Sequence, residues 1–134
     1  MPLLVILDTN FLTVPAQFGV DVFSEAERVL ERSIEFIVLE SVLSEIKAKF
    51  ERTKKTESRK FKIALDLLEK CRVVELDPSL KDTTVDDQLL EYTVSVSGVL
   101  ATNDRDLRNR ASARGIPVLM LRGRKRLELK GTIF

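Results

Sequence analysis

Residues 3–12 have the sequence LLVILDTNFL, and this segment indicates the fold class of the chain. Its first five residues are all apolar, as in a strand that is buried on both faces of a parallel sheet. The apolar run ends at Asp8, which is followed by the polar residues Thr9 and Asn10. Because open α/β sheets bind ligands beyond the carboxyl ends of their strands, Asp8 lies where a functional group is expected. Asp is also a common helix N-cap, so a structural role for Asp8 stays open.

Four further segments are apolar in the same way, and amphipathic helical patterns alternate with them. The other predicted strands are residues 36–39, 73–74, 99–101 and 118–121. Ser24 is a candidate N-cap for a helix that ends near Arg32, and Asn103 or Asp104 is a candidate N-cap for a later helix. Strand–helix alternation predicts an α/β domain with a central, mostly parallel, five-stranded sheet and helices on both faces. No linker interrupts the pattern, so residues 1–134 are expected to form one domain.

The composition excludes several classes of active site. The chain has no histidine, which rules out serine–histidine triads, histidine general bases and histidine-bound zinc. Cys71 is the only cysteine, so an internal disulfide and a cysteine zinc cluster are excluded, and a buried apolar role is expected for it. The five glycines form neither of the phosphate-binding loops G-x-x-x-x-G-K-[ST] and G-x-G-x-x-G. Any catalysis must therefore depend on carboxylates, hydroxyls, Lys and Arg side chains or a metal ion, without a small organic cofactor.

Charge is balanced overall but is arranged in blocks. The net charge is +1, yet residues 1–46 and 63–104 each carry −6, whereas residues 47–62 carry +6 and residues 105–130 carry +7. Acidic segments between basic ones suit a ligand with a phosphate backbone, held by Lys and Arg beside a metal site. A solvated helix face is the alternative explanation for the basic block at residues 47–62.

The sequence also bears on where the protein is expected to act. No apolar segment approaches the about 20 residues that span a membrane. Residues 1–8 lack the basic region of a signal peptide and soon reach a carboxylate. Together with the single unpaired cysteine, these features lead us to expect a cytoplasmic protein without membrane contact.

Two acidic motifs fall on predicted helices. Glu45 borders the apolar face that contains Ile46, where a lone Glu is usually a solvated flank. Asp86 and Asp87 follow Thr84 at a helix start that resembles a capping box, and acids there complement the helix dipole. Each motif taken alone is thus compatible with a purely structural role.

A further pair of acids follows the predicted strand at residues 99–101. Asp104 comes after this strand with two residues between them, and Asp106 lies two positions further on. Both also suit the first turn of a helix. Because the carboxyl ends of parallel strands lie at the same edge of a sheet, we expect Asp104 and Asp8 to point toward the same rim.

In this order, the segments resemble the PIN-domain ribonucleases over most of the chain. The matching segments are LVILDTN at residues 4–10, VLSEI at 42–46, VDDQLL at 85–90 and VLATNDRDL at 99–107. The spacing of 18 residues between Asp86 and Asp104 is part of the match. Residues 101–110 and 115–129 are most similar to archaeal and eukaryotic PIN proteins associated with ribosomal RNA processing. The resemblance implies a three-layer PIN-like α/β fold.

The resemblance also implies a metal-dependent endoribonuclease with Mg²⁺ or Mn²⁺ as cofactor. The residues at the acidic positions of the family, with both catalytic and metal-binding roles, are Asp8, Glu45, Asp86 and Asp104. Carboxylate oxygens are the ligands that these hard cations prefer. Asp86 is chosen over Asp87 because its spacing to Asp104 fits the family and because Asp87 occupies the position of a cap partner.

Other residues near these acids are given supporting roles by the same resemblance. Asp106 is expected as an additional, outer metal ligand. Thr9, Asn10 and Thr102 would orient ligands or a water molecule through their hydroxyl and amide groups.

The expected partner is RNA, including a ribosomal RNA precursor. In-line hydrolysis would leave a 5′-phosphate and a 3′-hydroxyl. The cations expected to hold the RNA backbone are Lys47, Lys54, Lys55, Arg105, Arg108, Arg122, Arg124 and Arg126. Aromatic residues are limited to seven Phe and one Tyr, mostly at positions typical of a core, so recognition through backbone and shape is expected rather than base stacking.

Other functions stay open at this point. A weakly active or inactive PIN domain would serve as an RNA-binding assembly factor, and a toxin ribonuclease of a toxin–antitoxin pair would use the same chemistry on another target. A phosphotransfer domain using Asp8 is a further alternative, but phosphatases of the Asp-x-Asp type need an acid at position 10, where this chain has Asn10. Apolar helix faces also make a homodimer an expectation.

Overall fold

Strands and helices alternate along the computed structural model, which describes residues 2–133 except for the side chains of residues 56 and 57. The strands are β1 (Leu3–Leu7), β2 (Ile34–Leu39), β3 (Cys71–Val74), β4 (Val99–Ala101), β5 (Val118–Arg122) and β6 (Arg126–Lys130). The helices are α1 (Thr9–Leu12), α2 (Val14–Phe18), α3 (Val22–Leu30), α4 (Glu40–Arg52), α5 (Lys55–Leu67), α6 (Val85–Ser95) and α7 (Arg105–Ala113). Single 3₁₀ turns lie at Leu68–Lys70 and Pro78–Leu80.

The sheet has the strand order β3-β2-β1-β4-β5-β6. The pairs β1–β2, β2–β3, β1–β4 and β4–β5 are all parallel. The chain therefore runs outward from β1 to β3 on one side, then returns to β4 on the other side of β1 and runs outward again. The order reverses between β1 and β4, which is where open sheets of this kind form their ligand crevice. The predicted α/β fold with a mostly parallel sheet is confirmed.

The prediction of five strands is wrong, because residues 126–130 form a sixth. Strand β6 pairs antiparallel with β5 along its whole length. The connecting turn begins at Gly123, whose φ of 62° favours glycine. Leu127 and Leu129 give β6 an alternating pattern, but their neighbours are charged, so the segment has the composition of a basic tail. Pairing with β5 is a tertiary contact that composition does not reveal.

The helix starts were predicted with mixed success. Helix α3 is capped by Asp21 rather than Ser24, and it ends at Leu30 rather than near Arg32. The Asp21 carboxylate accepts the backbone N–H groups of Phe23 and Ser24 at 3.1 Å each. An acid three residues ahead of Ser24 therefore satisfies the free N–H groups of the first turn.

Across residues 2–133, no helix has the length and apolar composition that crossing a bilayer requires.

The two caps that flank the acidic motifs are confirmed. The Thr84 hydroxyl accepts the backbone N–H of Asp87 at 3.1 Å at the start of α6. The Asp104 carboxylate accepts the backbone N–H of Leu107 at 2.8 Å at the start of α7. Both caps place acidic side chains at helix N-termini.

The core is centred on β1, which explains its uninterrupted apolar sequence. Ile6 and Leu7 are at most 1% exposed because β1 has a strand on each side and helices on both faces. Gly98, just before β4, lies against the β1 backbone. A Cβ atom at this position would lie 2.7 Å from the carbonyl oxygen of Leu4 and 2.8 Å from Cδ1 of Ile6. Only glycine therefore lets β4 pair with β1 at the observed register.

Replacing Gly98 should consequently weaken the fold. We expect Gly98→Ala to lower the free energy of unfolding by about 1–3 kcal/mol, as overpacking does in other cores. Urea denaturation followed by circular dichroism measures this change. Ser112→Ala, at an exposed position of α7, is the control and should stay within about 0.5 kcal/mol of the unsubstituted protein. Equal midpoints for the two variants would contradict the close approach at Gly98.

Candidate functional site

Asp8 is a buried carboxylate at the carboxyl end of the central strand. Its side chain is the N-cap of α1, and its Oδ1 accepts the backbone N–H of Phe11 at 2.7 Å. Its Oδ2 accepts the hydroxyl hydrogen of Thr102. The interpretation of Asp8 as a helix cap is therefore correct. Both oxygens are oriented by these bonds, yet each keeps a lone pair for another partner.

Thr102 joins the ends of the two strands that flank the crevice. It is fully buried, and the hydroxyl that donates to Asp8 also accepts the backbone N–H of Asp104 at 3.1 Å. One donor hydrogen and the lone pairs of a single oxygen thus connect the end of β1 to the loop after β4. This arrangement fixes Asp8 and Asp104 relative to each other.

Asp86 reaches the same edge of the sheet from a different direction. It lies in the first turn of α6, the helix that leads back to the start of β4. A helix that returns to the start of a parallel strand begins at the carboxyl edge, so its first turn lies beside the ends of β1 and β4.

Glu45 lies in α4 and carries an ion pair that the sequence-based prediction did not include. The Lys49 ammonium is 3.5 Å from Oε1 of Glu45, one helical turn away. Both side chains are more than a third exposed, so this pair contributes little to stability. The spacing of four residues, acid before base, was the signal in the sequence that could have revealed it.

The charges of neighbouring acids act on Asp8 and Asp86. Burial raises the pKa of Asp8 to about 6, and the negative charges of Asp104 and Asp86 contribute to this increase. Burial also raises the pKa of Asp86, and Asp104 and Glu45 contribute there. The negative charges of Asp86 and Asp104 thus reach Asp8, and that of Glu45 reaches Asp86. Among the side chains that the structure describes, however, no group of three acidic, histidine or cysteine residues is close enough together to hold a metal ion.

Asp87, the neighbour of Asp86, makes a separate contact. The guanidinium of Arg110 in α7 donates a hydrogen bond to the Asp87 carboxylate, and this bond holds the pKa of Asp87 below its ordinary value. The positive charge of Arg110 also partly counteracts the raised pKa of Asp86. Arg110 was not singled out in the sequence, because its contact with α6 spans 23 positions and has no local pattern.

The remaining polar candidates differ in how exposed they are. Thr9 is buried at the start of α1, whereas Asn10 is exposed in the same turn. Asp106 is exposed in the first turn of α7. Their roles as ligand or orienting groups stay predictions.

The predicted RNA-binding cations are spread over three regions. Lys47 is exposed on α4, and Lys54 and Lys55 lie at the start of α5. Arg105 and Arg108 lie in the first half of α7. At the β5–β6 hairpin, Arg122 is 2.9 Å from Glu128, Arg124 lies in the turn, and Arg126 begins β6. Their binding of RNA stays a prediction.

The buried charge of Asp8 predicts an unusual dependence of stability on pH. Because the pKa of Asp8 is higher when folded than when unfolded, the folded state binds the extra proton between about pH 4 and pH 6. The contribution of Asp8 to the free energy of unfolding therefore falls as the pH rises through that window, by about 3 kcal/mol in total. Asp8→Asn removes the charge but keeps an N-cap side chain. We expect it to raise the free energy of unfolding by up to about 3 kcal/mol at pH 7.5 and by little at pH 4.

Urea denaturation at the two pH values measures this effect. Asp82→Asn, which removes an exposed carboxylate, is the matched control and should change stability little at either pH. A destabilised Asp8→Asn protein at pH 7.5 would refute the unfavourable burial of the Asp8 charge.

Solved structures of other proteins share this fold. The PIN domain endonuclease Utp24 superposes with a TM-score of 0.78 and 22% identity, over 98% of this chain and 94% of that one. A chain of VapBC2 from Rickettsia felis, solved with a DNA fragment from its promoter, gives a TM-score of 0.65 and 14% identity, over 90% of this chain and 100% of that one.

The sequence comparisons lead to the same group of proteins. Ribonuclease VapC4 of Methanocaldococcus jannaschii is 28% identical over 136 residues, which cover 96% of this chain and 98% of the relative. The profile described as PIN like domain matches residues 5–124. Because this match covers most of the chain and agrees with the fold, the protein belongs to the PIN-like domain family.

Proposed function

We propose that this protein is a metal-dependent endoribonuclease that hydrolyses RNA phosphodiester bonds. The observation that supports this most is the position of Asp8 and Asp104, which Thr102 joins at the point where the strand order reverses. The charge of Asp86 reaches Asp8, and that of Glu45 reaches Asp86. Repulsion from Asp104 and Asp86 adds to the unfavourable burial of the Asp8 charge, and a bound cation would relieve both. Membership of the PIN-like domain family and the similarity to a ribonuclease are consistent with this chemistry.

The donor set fits a hard divalent cation. Mg²⁺ is usually held by one or two carboxylates together with water and substrate phosphate, so a complete protein cage is not needed. Asp8 and Asp104 are preorganised for this task by Thr102, whereas Asp86 is exposed and Glu45 is half-exposed, so both can change rotamer toward an ion. When bound, the ion would supply a water of lowered pKa and positive charge against the phosphate.

The residues of the chain then have distinct tasks. Thr102 holds Asp8 and Asp104 in place, and the N-termini of α6 and α7 add partial positive charge near the phosphate. Exposed cations such as Lys54, Lys55 and Arg105 would hold the RNA backbone. In-line attack of water on phosphorus breaks the bond to the 3′ oxygen, which leaves with a proton. The products carry a 5′-phosphate and a 3′-hydroxyl.

For the biological role we propose processing of a ribosomal RNA precursor. The support is the resemblance of residues 101–110 and 115–129 to PIN proteins of that process, together with the fold shared with Utp24 over nearly the whole chain. A toxin ribonuclease is the second candidate, favoured by the similarity to Ribonuclease VapC4 over the full length of both proteins.

Adjacent acids of α6 offer a matched pair of variants for testing the active site. We expect Asp86→Asn to reduce Mn²⁺-dependent or Mg²⁺-dependent RNA cleavage by about 100-fold or more, because several kcal/mol of charge stabilisation would be lost. Asp87→Asn removes a carboxylate one position away that is paired with Arg110, and it should retain most of the activity. Single-turnover cleavage of a 5′-labelled RNA measures both rates and identifies the products.

A second readout reports metal binding without activity. Millimolar Mn²⁺ should raise the melting temperature of the unsubstituted protein and of Asp87→Asn, but raise that of Asp86→Asn less, because a ligand of the folded state stabilises it. If the unsubstituted protein binds RNA and Mn²⁺ but does not cut, an assembly-factor role is favoured instead. Equal loss of cleavage in both variants would argue against the assignment of Asp86.

The shared hydroxyl of Thr102 predicts a second pair of variants. Thr102→Val keeps the shape but removes both hydrogen bonds, and it should lower the cleavage rate by about 10-fold to 100-fold, as loss of a group that orients metal ligands commonly does. Thr102→Ser keeps the hydroxyl and should retain much more activity. The cleavage rate at saturating Mn²⁺ and the half-saturating Mn²⁺ concentration measure the effect. Indistinguishable values for the two variants would show that the hydroxyl does not position the acids.

A further inference from the structure

A cavity of about 310 Å³ lies beside the acidic site, between α1–α2 on one side and β5–α7 on the other. This volume is within the range of sites that hold small organic groups. Its lining includes Asn10, Phe18, Asn103, Arg108, Met120 and Leu121. The nuclease chemistry proposed above assigns no task to this space.

Two residues that line the cavity are close neighbours in sequence of Asp8 and Asp104. Asn10 follows Asp8 by two residues, and Asn103 is the neighbour of Asp104. The cavity and the acids therefore share the first turn of α1 and the loop after β4. Asn103 is also held in place, because its Oδ1 accepts the backbone N–H of Leu121 at 2.7 Å. The amide hydrogens of Asn103 are left for another partner.

Arg108 supplies the polar group that the cavity would use. Its Nη1 lies 3.2 Å from Sδ of Met120, a weak acceptor, and its buried Nε has no hydrogen-bond partner among the described residues. A buried N–H group without a partner is costly, so it is usually matched by a ligand or by water. A guanidinium donates along a fixed, flat fork, which fits two neighbouring acceptor atoms.

The apolar part of the cavity lining favours a nucleobase over a phosphate as the occupant. Phe18 is 40% exposed, unlike the other Phe residues that the structure describes, and Met120 and Leu121 add further apolar surface. A base has apolar faces that stack on such side chains, whereas a phosphate needs only charged and polar contacts. Guanine carries two acceptors, O6 and N7, on one edge, and these are the atoms that Arg reads most often.

We propose that this cavity binds a guanine base of the RNA, unstacked from its neighbours and adjacent to the cleaved bond, with Arg108 reading O6 and N7 and Phe18 stacking on the ring. The inference rests on the proposed ribonuclease function and adds its sequence preference. It replaces the expectation of recognition through backbone and shape alone with one base-specific contact beside the site.

Binding of mononucleotides tests the cavity without any cleavage. In metal-free buffer, ¹⁵N-labelled protein is titrated separately with GMP, AMP, CMP, UMP and inorganic phosphate, and amide shifts are followed by NMR. We expect GMP to move the amides of Phe18, Asn103 and Arg108, with a Kd lower by about tenfold or more than that of the other nucleotides. Inorganic phosphate should leave these amides unchanged.

Matched variants attribute the effect to the two proposed contacts. Arg108→Gln should remove the preference for GMP, and Phe18→Ala should weaken the binding of all four nucleotides. Arg32→Gln removes an exposed guanidinium at the opposite edge of the sheet, and Val94→Ala truncates a side chain of similar exposure, 43%, on α6. Both controls should bind GMP as the unsubstituted protein does, which also excludes a general effect of charge or of surface apolar area.

Cleavage of an RNA library separates the failure of this inference from the failure of the nuclease function. We expect cuts next to G with the unsubstituted protein, and slower cuts without that preference with Arg108→Gln. If RNA is cut with the same base preference by both proteins, the cavity does not read guanine although the nuclease function stands. If no RNA is cut but GMP binds selectively, the nuclease proposal fails and the cavity assignment stands. Equal shifts with inorganic phosphate, or equal Kd values for all four nucleotides, would overturn the guanine site.

Discussion

The hydrogen bonds around the Asp8 carboxylate are the constraint on which the rest of the site depends. A charged group at the end of a buried central strand is unfavourable, and burial raises the pKa of Asp8 to about 6. It is tolerated because Phe11 and Thr102 each donate a hydrogen bond to one of its oxygens. The same bonds start α1 and connect β1 to the loop after β4, so the fold and the site share their central contacts.

The distribution of cations around the acids follows the same logic. Lys49 pairs with Glu45 and Arg110 pairs with Asp87, and none of the described cations forms an ion pair with the buried carboxylate of Asp8. Neutralisation of Asp8 by Lys or Arg would remove the negative potential that the proposed divalent ion would need. The site thus retains an electrostatic cost that a bound cation would relieve, as functional sites often do.

Several features of this molecule could be predicted from local patterns, because local forces produce them. The strands β1 and β4 agree with their apolar runs residue by residue, and the caps Thr84 and Asp104 lie where the cap chemistry predicted them. The strand β6 was missed because its two leucines are surrounded by charges, and only the antiparallel pairing with β5 makes the segment a strand. Asp21 was passed over as a cap because several polar residues near a helix start are chemically equivalent in sequence.

What the sequence by itself determined is the five parallel strands and the position of Asp8, Thr102 and Asp104 at strand ends, since hydrophobic burial and capping act over a few residues. What only the tertiary structure decided is which groups meet: Thr102 between Asp8 and Asp104, Arg110 against Asp87, and Arg108 in a cavity formed by four elements. Contacts of this kind join residues that are far apart in the chain, and they form only when the sheet order brings the carboxyl ends of β1 and β4 together. The local sequence pattern does not reveal which strand ends meet, because the free energy that brings them together comes from packing the whole core.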